Sequence, residues 1–235
     1  MSTTVLSGVT VRSPEGRTLL DTVDLSVSSG ELCVLGGRNG AGKTLLARCI
    51  AGLTKPDEGR VRHEGPAPAL VFQDTRSQVL GQTVEEDVAL GPRSARIAHP
   101  TIERRVSDAL DRAGLSALRK RDPLTLSGGE QRRLSIAALL ALRPEILILD
   151  EPFSSLDFEG VRSVLSLLVR LYEEGHGLLV ITHDLEKICA HATRLVLIDG
   201  GRIRADAAPE TALSTAESCG LRAPRCPLEA MTWLS

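Results

Sequence analysis

Apolar residues along this chain gather into short, nearly unbroken blocks. Residues 31–35, 69–72, 145–149, 177–182 and 194–198 are such blocks, rich in Leu, Val and Ile. Runs this short and this continuously apolar predict strands buried on both faces. Between them lie stretches of helical character: 43–51, stopped by Gly52 and Pro56, then 134–142, 161–172 and 184–191. The N-terminal region reads instead as two short strands, 5–11 and 23–27, reversing at Pro14-Glu15-Gly16. Strands alternating with helices predict an α/β fold with a mostly parallel sheet covered by helices. Residues 74–140 break the alternation, polar and helix-prone across 85–121, and predict an inserted α-helical subdomain. The expected organisation is one domain over 1–235 with an N-terminal antiparallel β subdomain, the insert at 74–140 and a short helical tail at 206–235.

Composition narrows the setting. Hydrophobic residues make up 42% and charged residues 25%, with a net charge of −2. That is a globular composition with no overall basic surface for nucleic acid, so no nucleic-acid partner is expected. Aromatic residues are only 2%, so the core must be aliphatic and few rings are available to stack on bases. No apolar run approaches the roughly 18–20 residues that cross a bilayer; the best, 136–142, stops at Arg143. The Met-Ser-Thr-Thr start carries no basic or apolar leader. The chain is expected on the cytoplasmic side, with any membrane role reached through a partner. Cys33, Cys49, Cys189, Cys219 and Cys226 match no zinc spacing and are expected as thiols, Cys219 and Cys226 being the one pair to watch. His63 and His99 fall in polar stretches and read as solvent-facing.

Three segments carry chemistry. Gly37-Arg38-Asn39-Gly40-Ala41-Gly42-Lys43-Thr44 fits G-x-x-x-x-G-K-[ST] at every fixed position, with a strand before it and a helix after it. The glycines let successive N–H groups turn inward on phosphate oxygens, and the helix start adds partial positive charge. Lys43 should reach the β- and γ-phosphates and Thr44 should ligate Mg²⁺. Next, 146–149 is an aliphatic run ending in Asp150-Glu151. A buried parallel strand delivers its C-terminal end to the ligand crevice, so Asp150 suits Mg²⁺ and Glu151 suits a general base. Without the phosphate loop the same pair would read as a solvated strand-to-loop turn. Third, Leu126-Ser127-Gly128-Gly129-Glu130-Gln131 bares N–H groups at a helix start beside a hydroxyl, an anion site without a lysine. By itself it reads equally well as a capped helix start, Ser-x-x-Glu.

Together these segments resemble the ATPase subunits of ABC transporters, over about residues 5–205. Gln73 in Val71-Phe72-Gln73-Asp74 resembles the Q-loop glutamine, Ser155-Leu156-Asp157 the D-loop, and His183 after residues 179–182 the switch histidine. A lone buried histidine is otherwise most often structural. The resemblance implies a P-loop NTPase core with an inserted helical signature subdomain, and ATP with Mg²⁺ as its cofactors. It further implies a head-to-tail pair, in which Ser127, Gly128 and Gly129 of one subunit address the γ-phosphate held by the partner. By the same resemblance Gln73 links the Mg²⁺ and water site to a membrane partner, His183 senses the γ-phosphate and orients the water, and Asp157 couples the two sites across the interface. Glu151, His183 and Gln73 are then the catalytic candidates. Thr44, Gln73 and Asp150 are the metal candidates. Residues 37–45, Ser127, Gly128, Gly129 and Asp157 are the nucleotide contacts.

The branch is also legible. Gln73…Gln78, Thr-Val-Glu-Glu-Asp-Val-Ala-x-Gly-Pro over 83–92, residues 144–150, and Gly220-Leu221-Arg222-Ala223-Pro224 before a short helix from Pro227 resemble the energy-coupling-factor and cobalt/nickel uptake ATPases. That branch implies a second ATPase subunit, alike or merely similar, a transmembrane coupling protein, and a separate membrane subunit that captures a vitamin or transition-metal ion. The insert would hold the groove for the coupling helices, with Val79, Leu80 and Val84 as its apolar contacts. Two positions depart from the family pattern. Where most members place an aromatic residue to stack on adenine, residues 9–16 have none; Ser13 stands there, with Arg12 as the substitute candidate. Leu45 stands where many relatives have a second hydroxyl, so only backbone contact to the α-phosphate is expected. Two rival readings remain at this level: an ABC-type ATPase acting away from membranes, and a regulatory subunit that binds nucleotide with little hydrolysis.

Overall fold

A computed structural model describes residues 1–222 and 226–234, which form two compact units. The first comprises residues up to Leu70, the segment Glu145–Glu151, and the chain from Leu171 onward. Strands β1 (Thr3–Arg12), β2 (Thr18–Ser28) and β4 (Glu58–Glu64) make an antiparallel sheet in the order β2-β1-β4. A second sheet follows the order β5-β6-β7-β3-β8-β9, built from β3 (Leu32–Gly36), β5 (Ala69–Val71), β6 (Ile146–Asp150), β7 (Gly177–Thr182), β8 (Arg194–Asp199) and β9 (Arg202–Ala207). Strands β6, β7, β3 and β8 run parallel, and β9 returns antiparallel on β8.

The order follows from side-chain chemistry. Every residue of β3, β6 and β7 is buried, as continuous aliphatic runs in central parallel strands must be. Strands β4 and β9, which the apolar blocks did not predict, read Glu-Gly-Arg-Val-Arg-His-Glu and Arg-Ile-Arg-Ala-Asp-Ala. Both lie at a sheet edge with charged side chains outward, where charges discourage further pairing. The register sets Gly36 beside Thr182 and Asp150 beside Ile181, so β3, β6 and β7 end together on one edge.

Three expectations in this unit are corrected. Residues 184–191 are two 3-10 turns, Leu185–Lys187 and Cys189–His191, rather than a helix. The Ala190 N–H, which a helix would bond four residues back, donates to Met231 O at 3.1 Å, and His191 Nε2 pairs with Thr232 Oγ1 at 2.6 Å. The C-terminal segment has taken the Ala190 backbone donor and holds the His191 ring. His63 is half-buried, with Nδ1 at 3.0 Å from Thr4 Oγ1; His99 is exposed as expected. The helix expected from Pro227 is a single 3-10 turn, Leu228–Ala230, after a short helix α6 (Pro209–Ala212) and further 3-10 turns; Ala223 and Pro224 lie outside the described residues. All five cysteines are free thiols, four of them buried.

The second unit comprises Val71–Pro144 and Pro152–Arg170. It holds α2 (Val84–Ser94), α3 (His99–Arg112), α4 (Gly128–Leu140) and most of α5 (Phe158–Glu173). Thr83 and Glu86 form a capping box at α2, and the buried Asp87 carboxylate accepts from Leu80 N and Gly81 N. Val84 is fully buried and belongs to the core of this unit, not to a docking face. Leu80 is 79% exposed and Val79 half-buried, so of the three apolar candidates only these reach the surface. Helix α4 begins six residues before the expected 134, because Gly-Gly-Glu-Gln-Arg-Arg conceals a helical turn behind polar side chains.

Candidate active site

Within the first unit, the turn after β3 leads into α1 (Lys43–Ile50). Gly42 sits at φ +105°, a left-handed value that L side chains rarely adopt, and a Cβ there would lie 2.9 Å from Leu20 Cδ2. No side chain caps α1 and its first turn has no acid. Its leading N–H groups are therefore left to whatever anion the loop receives. Lys43 is buried, and its Nζ donates to Gly37 O at 2.6 Å and Arg38 O at 3.1 Å. Burial pushes the Lys43 ammonium below its usual range, while Glu151 and Asp150 pull it back up. Arg38 is paired with Asp199 at 2.9 Å, Asn39 and Gly40 are exposed, Ala41 is buried, and Leu45 is half-buried.

The acid pair at the end of β6 lies in the same unit. Thr44 Oγ1 donates to Asp150 Oδ2 at 2.7 Å, which joins the first turn of α1 to the strand end. Asp150 is 3% exposed; burial raises its pKa against the opposing pull of the Thr44 hydrogen bond. Glu151 is also buried and has a left-handed backbone, φ +49°, locked by its N–H to Ile181 O at 2.9 Å. Its Oε1 lies 2.8 Å from His183 Nδ1. An ionised carboxylate only accepts, so this contact places the proton on Nδ1. Thr182, which the sequence did not mark, joins the group: its Oγ1 lies 3.4 Å from Glu151 Oε2 and accepts from Asp184 N at 3.0 Å. The His183 side chain is 54% exposed, so it is not the buried structural histidine that its strand-end position alone would have favoured.

The remaining candidates lie in the second unit. Ser127 caps α4 through a full capping box: its Oγ accepts from Glu130 N at 3.3 Å, and Glu130 Oε2 accepts from Ser127 N at 2.7 Å. The capped-start reading is thus realised, and it leaves the Ser127 hydroxyl proton free to donate outward. Gly129 packs against α5 so closely that a Cβ would lie 2.9 Å from Gly160 Cα. Asp157 heads α5, its Oδ1 accepting from Gly160 N at 2.8 Å. Ser127, Gly128, Gly129, Arg133 and Asp157 line a cleft of about 460 Å³. Gln73 has an exposed side chain and lines a second cleft of similar size with Gly128, Arg132 and Ser155. Its carbonyl accepts from Arg132 Nη2 at 2.9 Å. Arg132 was not among the sequence candidates, since nothing in an Arg-Arg pair marks which side chain turns inward.

The geometry agrees with the comparisons. Residues 20–154 match the model of the ABC transporter family. An ABC transporter ATP-binding protein of Halobacterium salinarum is 40% identical over 216 residues, covering 87% of this chain and 93% of its own. An energy-coupling factor transporter ATP-binding protein of Methanosarcina acetivorans is 36% identical over 222 residues, covering 89% of this chain and 81% of its own. The solved structure of cbiO1 from Clostridium perfringens, part of the ABC transporter complex cbiONQ, superposes with a TM-score of 0.82 at 27% identity over 92% of each chain. A phosphate loop and an acid pair on one sheet edge, with this breadth of likeness around them, leave one assignment: the chain belongs to the ABC transporter family, as one of its ATP-binding and ATP-hydrolysing subunits.

Proposed function

We propose that this subunit powers an energy-coupling-factor importer for a vitamin or a transition-metal ion such as cobalt or nickel, and that it works in a head-to-tail ATPase pair. The observation that carries the chemistry is the juxtaposition of Thr44–Asp150 and Glu151–His183 at adjoining strand ends, behind a phosphate loop. Residues 37–45 bind the phosphates, with Lys43 supplying the buried positive charge. Thr44 Oγ1 and Asp150 Oδ2 are hard oxygen donors at one point, a set that fits Mg²⁺, which prefers few protein oxygens with water and phosphate completing its shell. Among the described residues no three His, Cys, Asp or Glu side chains cluster as a self-sufficient metal site. Gln73 is the further ligand in this reading. When bound, Mg²⁺ supplies neutralisation of charge building on the β- and γ-phosphate oxygens.

Glu151 takes the proton of the attacking water, and His183, donating from Nδ1, fixes the carboxylate for that transfer. The Ser127 hydroxyl and the N–H groups at the start of α4 stabilise the γ-phosphate of the partner's ATP. Asp157 stands beside that contact as the head of α5. Each subunit then holds half the ligands of a site, so closure precedes hydrolysis and loss of the γ-phosphate releases it. No helix among the described residues is long and apolar enough to cross a membrane. Attachment to the cytoplasmic face goes through a transmembrane coupling protein, with a separate membrane subunit capturing the substrate. The test is Glu151→Gln, which should trap an ATP-bound dimer, seen by light scattering, and lower turnover by about 10²-fold or more. Hydrolysis at the parent rate in that variant sinks the assignment of Glu151.

A further inference from the structure

Helix α4 carries two adjacent arginines that grip different parts of the second unit. Arg133 Nη1 donates to Ala113 O at 2.6 Å and Gly114 O at 3.2 Å, closing the end of α3. Arg132, 4% exposed, turns the other way: Nη1 donates to Phe72 O at 3.0 Å and Nη2 to Gln73 O at 2.9 Å. Two successive carbonyls are thus held by one planar fork, which arginine offers and lysine does not. The next carbonyl, Asp74 O, accepts from Gln78 Nε2 at 2.8 Å, so the backbone across 72–74 is fixed at each residue. Arg132 stands one helical turn along from Ser127 and Gly128, on a single helix of 13 residues.

We propose that Arg132 is a positioning residue that fixes the Gln73 backbone to α4, so that the Gln73 segment and the Ser127–Gly129 anion site move as one piece. This rests on the reading above, in which both groups address ATP. The physical reason is leverage. A glutamine acting from a loop is useful only if its backbone is held, and a misplacement of about 1 Å can cost on the order of 10²-fold in rate. Arg132 makes the helix itself the reference for that placement. A membrane partner that shifts the 72–78 segment must then shift the anion site with it, which is a direct link between docking and hydrolysis.

The experiment uses the assembled transporter in nanodiscs, with Arg132→Met, Arg132→Lys and Gln73→Ala measured beside the parent. Arg132→Met should lower kcat by about tenfold or more while KM for MgATP stays within about twofold, since the phosphate loop is untouched. Amide hydrogen exchange should quicken at residues 73–75 and not in α1. Arg132→Lys, keeping one of the two bonds, should fall between. A parent kcat in Arg132→Met overturns the proposal. So does a loss in which kcat and melting temperature fall together with no recovery in Arg132→Lys, because that is mere structural damage. If Arg132→Met does not fold, Arg132→Lys decides: parent kcat and parent exchange there mean the two-carbonyl grip is not needed. Parent turnover in Gln73→Ala would sink the role given to Gln73, while the exchange at 73–75 still reports whether Arg132 holds the backbone.

Discussion

Gly128 and Gly129 both belong to the segment proposed to face a partner's phosphate, yet the structure assigns them different tolerances. Replacing Gly129 by Ala puts a Cβ at 2.9 Å from Gly160 Cα, where ordinary carbon contacts begin near 3.4 Å. Gly160 has no side chain to yield, so the α4 and α5 backbones must part by about 0.5 Å or more. Overpacking of this kind costs about 1–3 kcal/mol. For a chain of this size that corresponds to a fall of roughly 2–12 °C in melting temperature. At Gly128 the added Cβ meets Leu156 Cδ2 at 3.2 Å, the tip of a flexible side chain, and the cost should stay below about 1 kcal/mol. Neither change removes an N–H, so any loss of turnover comes from shape rather than from a missing donor. Differential scanning fluorimetry on both variants, with turnover at saturating MgATP, reads the two effects separately. If Gly129→Ala melts at the parent temperature, or Gly128→Ala is the less stable of the two, the packing argument fails.

Two further outcomes follow from the first unit. Burial raises the folded pKa of Asp150 above its unfolded value, so the folded state holds that proton more tightly and stability falls as pH rises through this window, from the ordinary aspartate range up to the raised value. Asp150→Asn, which keeps an oxygen for the Thr44 hydroxyl, should therefore melt above the parent at pH 8 while losing Mg²⁺-dependent hydrolysis; a lower melting temperature at that pH contradicts the sign. The second concerns the base: residues 9–16 hold no aromatic side chain, and the Arg12 guanidinium is bound to Glu58 at 2.6 Å, which disfavours its use as a stacking substitute. A lost stack is worth about 0.5–1.5 kcal/mol, tenfold or less in affinity. GTP should thus compete with ATP within about tenfold in a hydrolysis assay, and a far stronger ATP preference would refute it.

What the sequence disclosed depended on how local the cause was. The central strands β3, β6 and β7 were legible because burial on both faces demands unbroken aliphatic runs. The phosphate loop was legible because its conformation needs glycine at fixed steps. The edge strands β4 and β9 were not, since their stability comes from pairing partners and their side chains look like loop residues. Residues 184–191 have helical composition, but Met231 O, some forty residues on, takes the Ala190 N–H, and Thr232 holds the His191 ring. Val84 carries the same apolar side chain as Val79, yet it opens α2 just after the Thr83–Glu86 capping box and is fully buried, while Val79 is half-buried. Of the site, the residue types were readable; the Asp157 cap, the Thr182 bridge and the Arg132 fork were not, because each is a contact between segments distant in the chain or a choice of rotamer.

The backbone of Glu151 has a consequence for how this position can drift. A non-glycine residue in the left-handed region gives up about 1–2 kcal/mol relative to glycine. Selection for robustness alone would favour Gly or Asn here, as it would at Thr22, Arg96, Arg143 and Ser155, which share the left-handed backbone. What sets Glu151 apart is the general-base role proposed for its carboxylate, and a subunit that need not turn over has no such demand on the position. A descendant freed from hydrolysis should lose Glu151 early and gain heat tolerance as it does, leaving a sturdier but silent subunit.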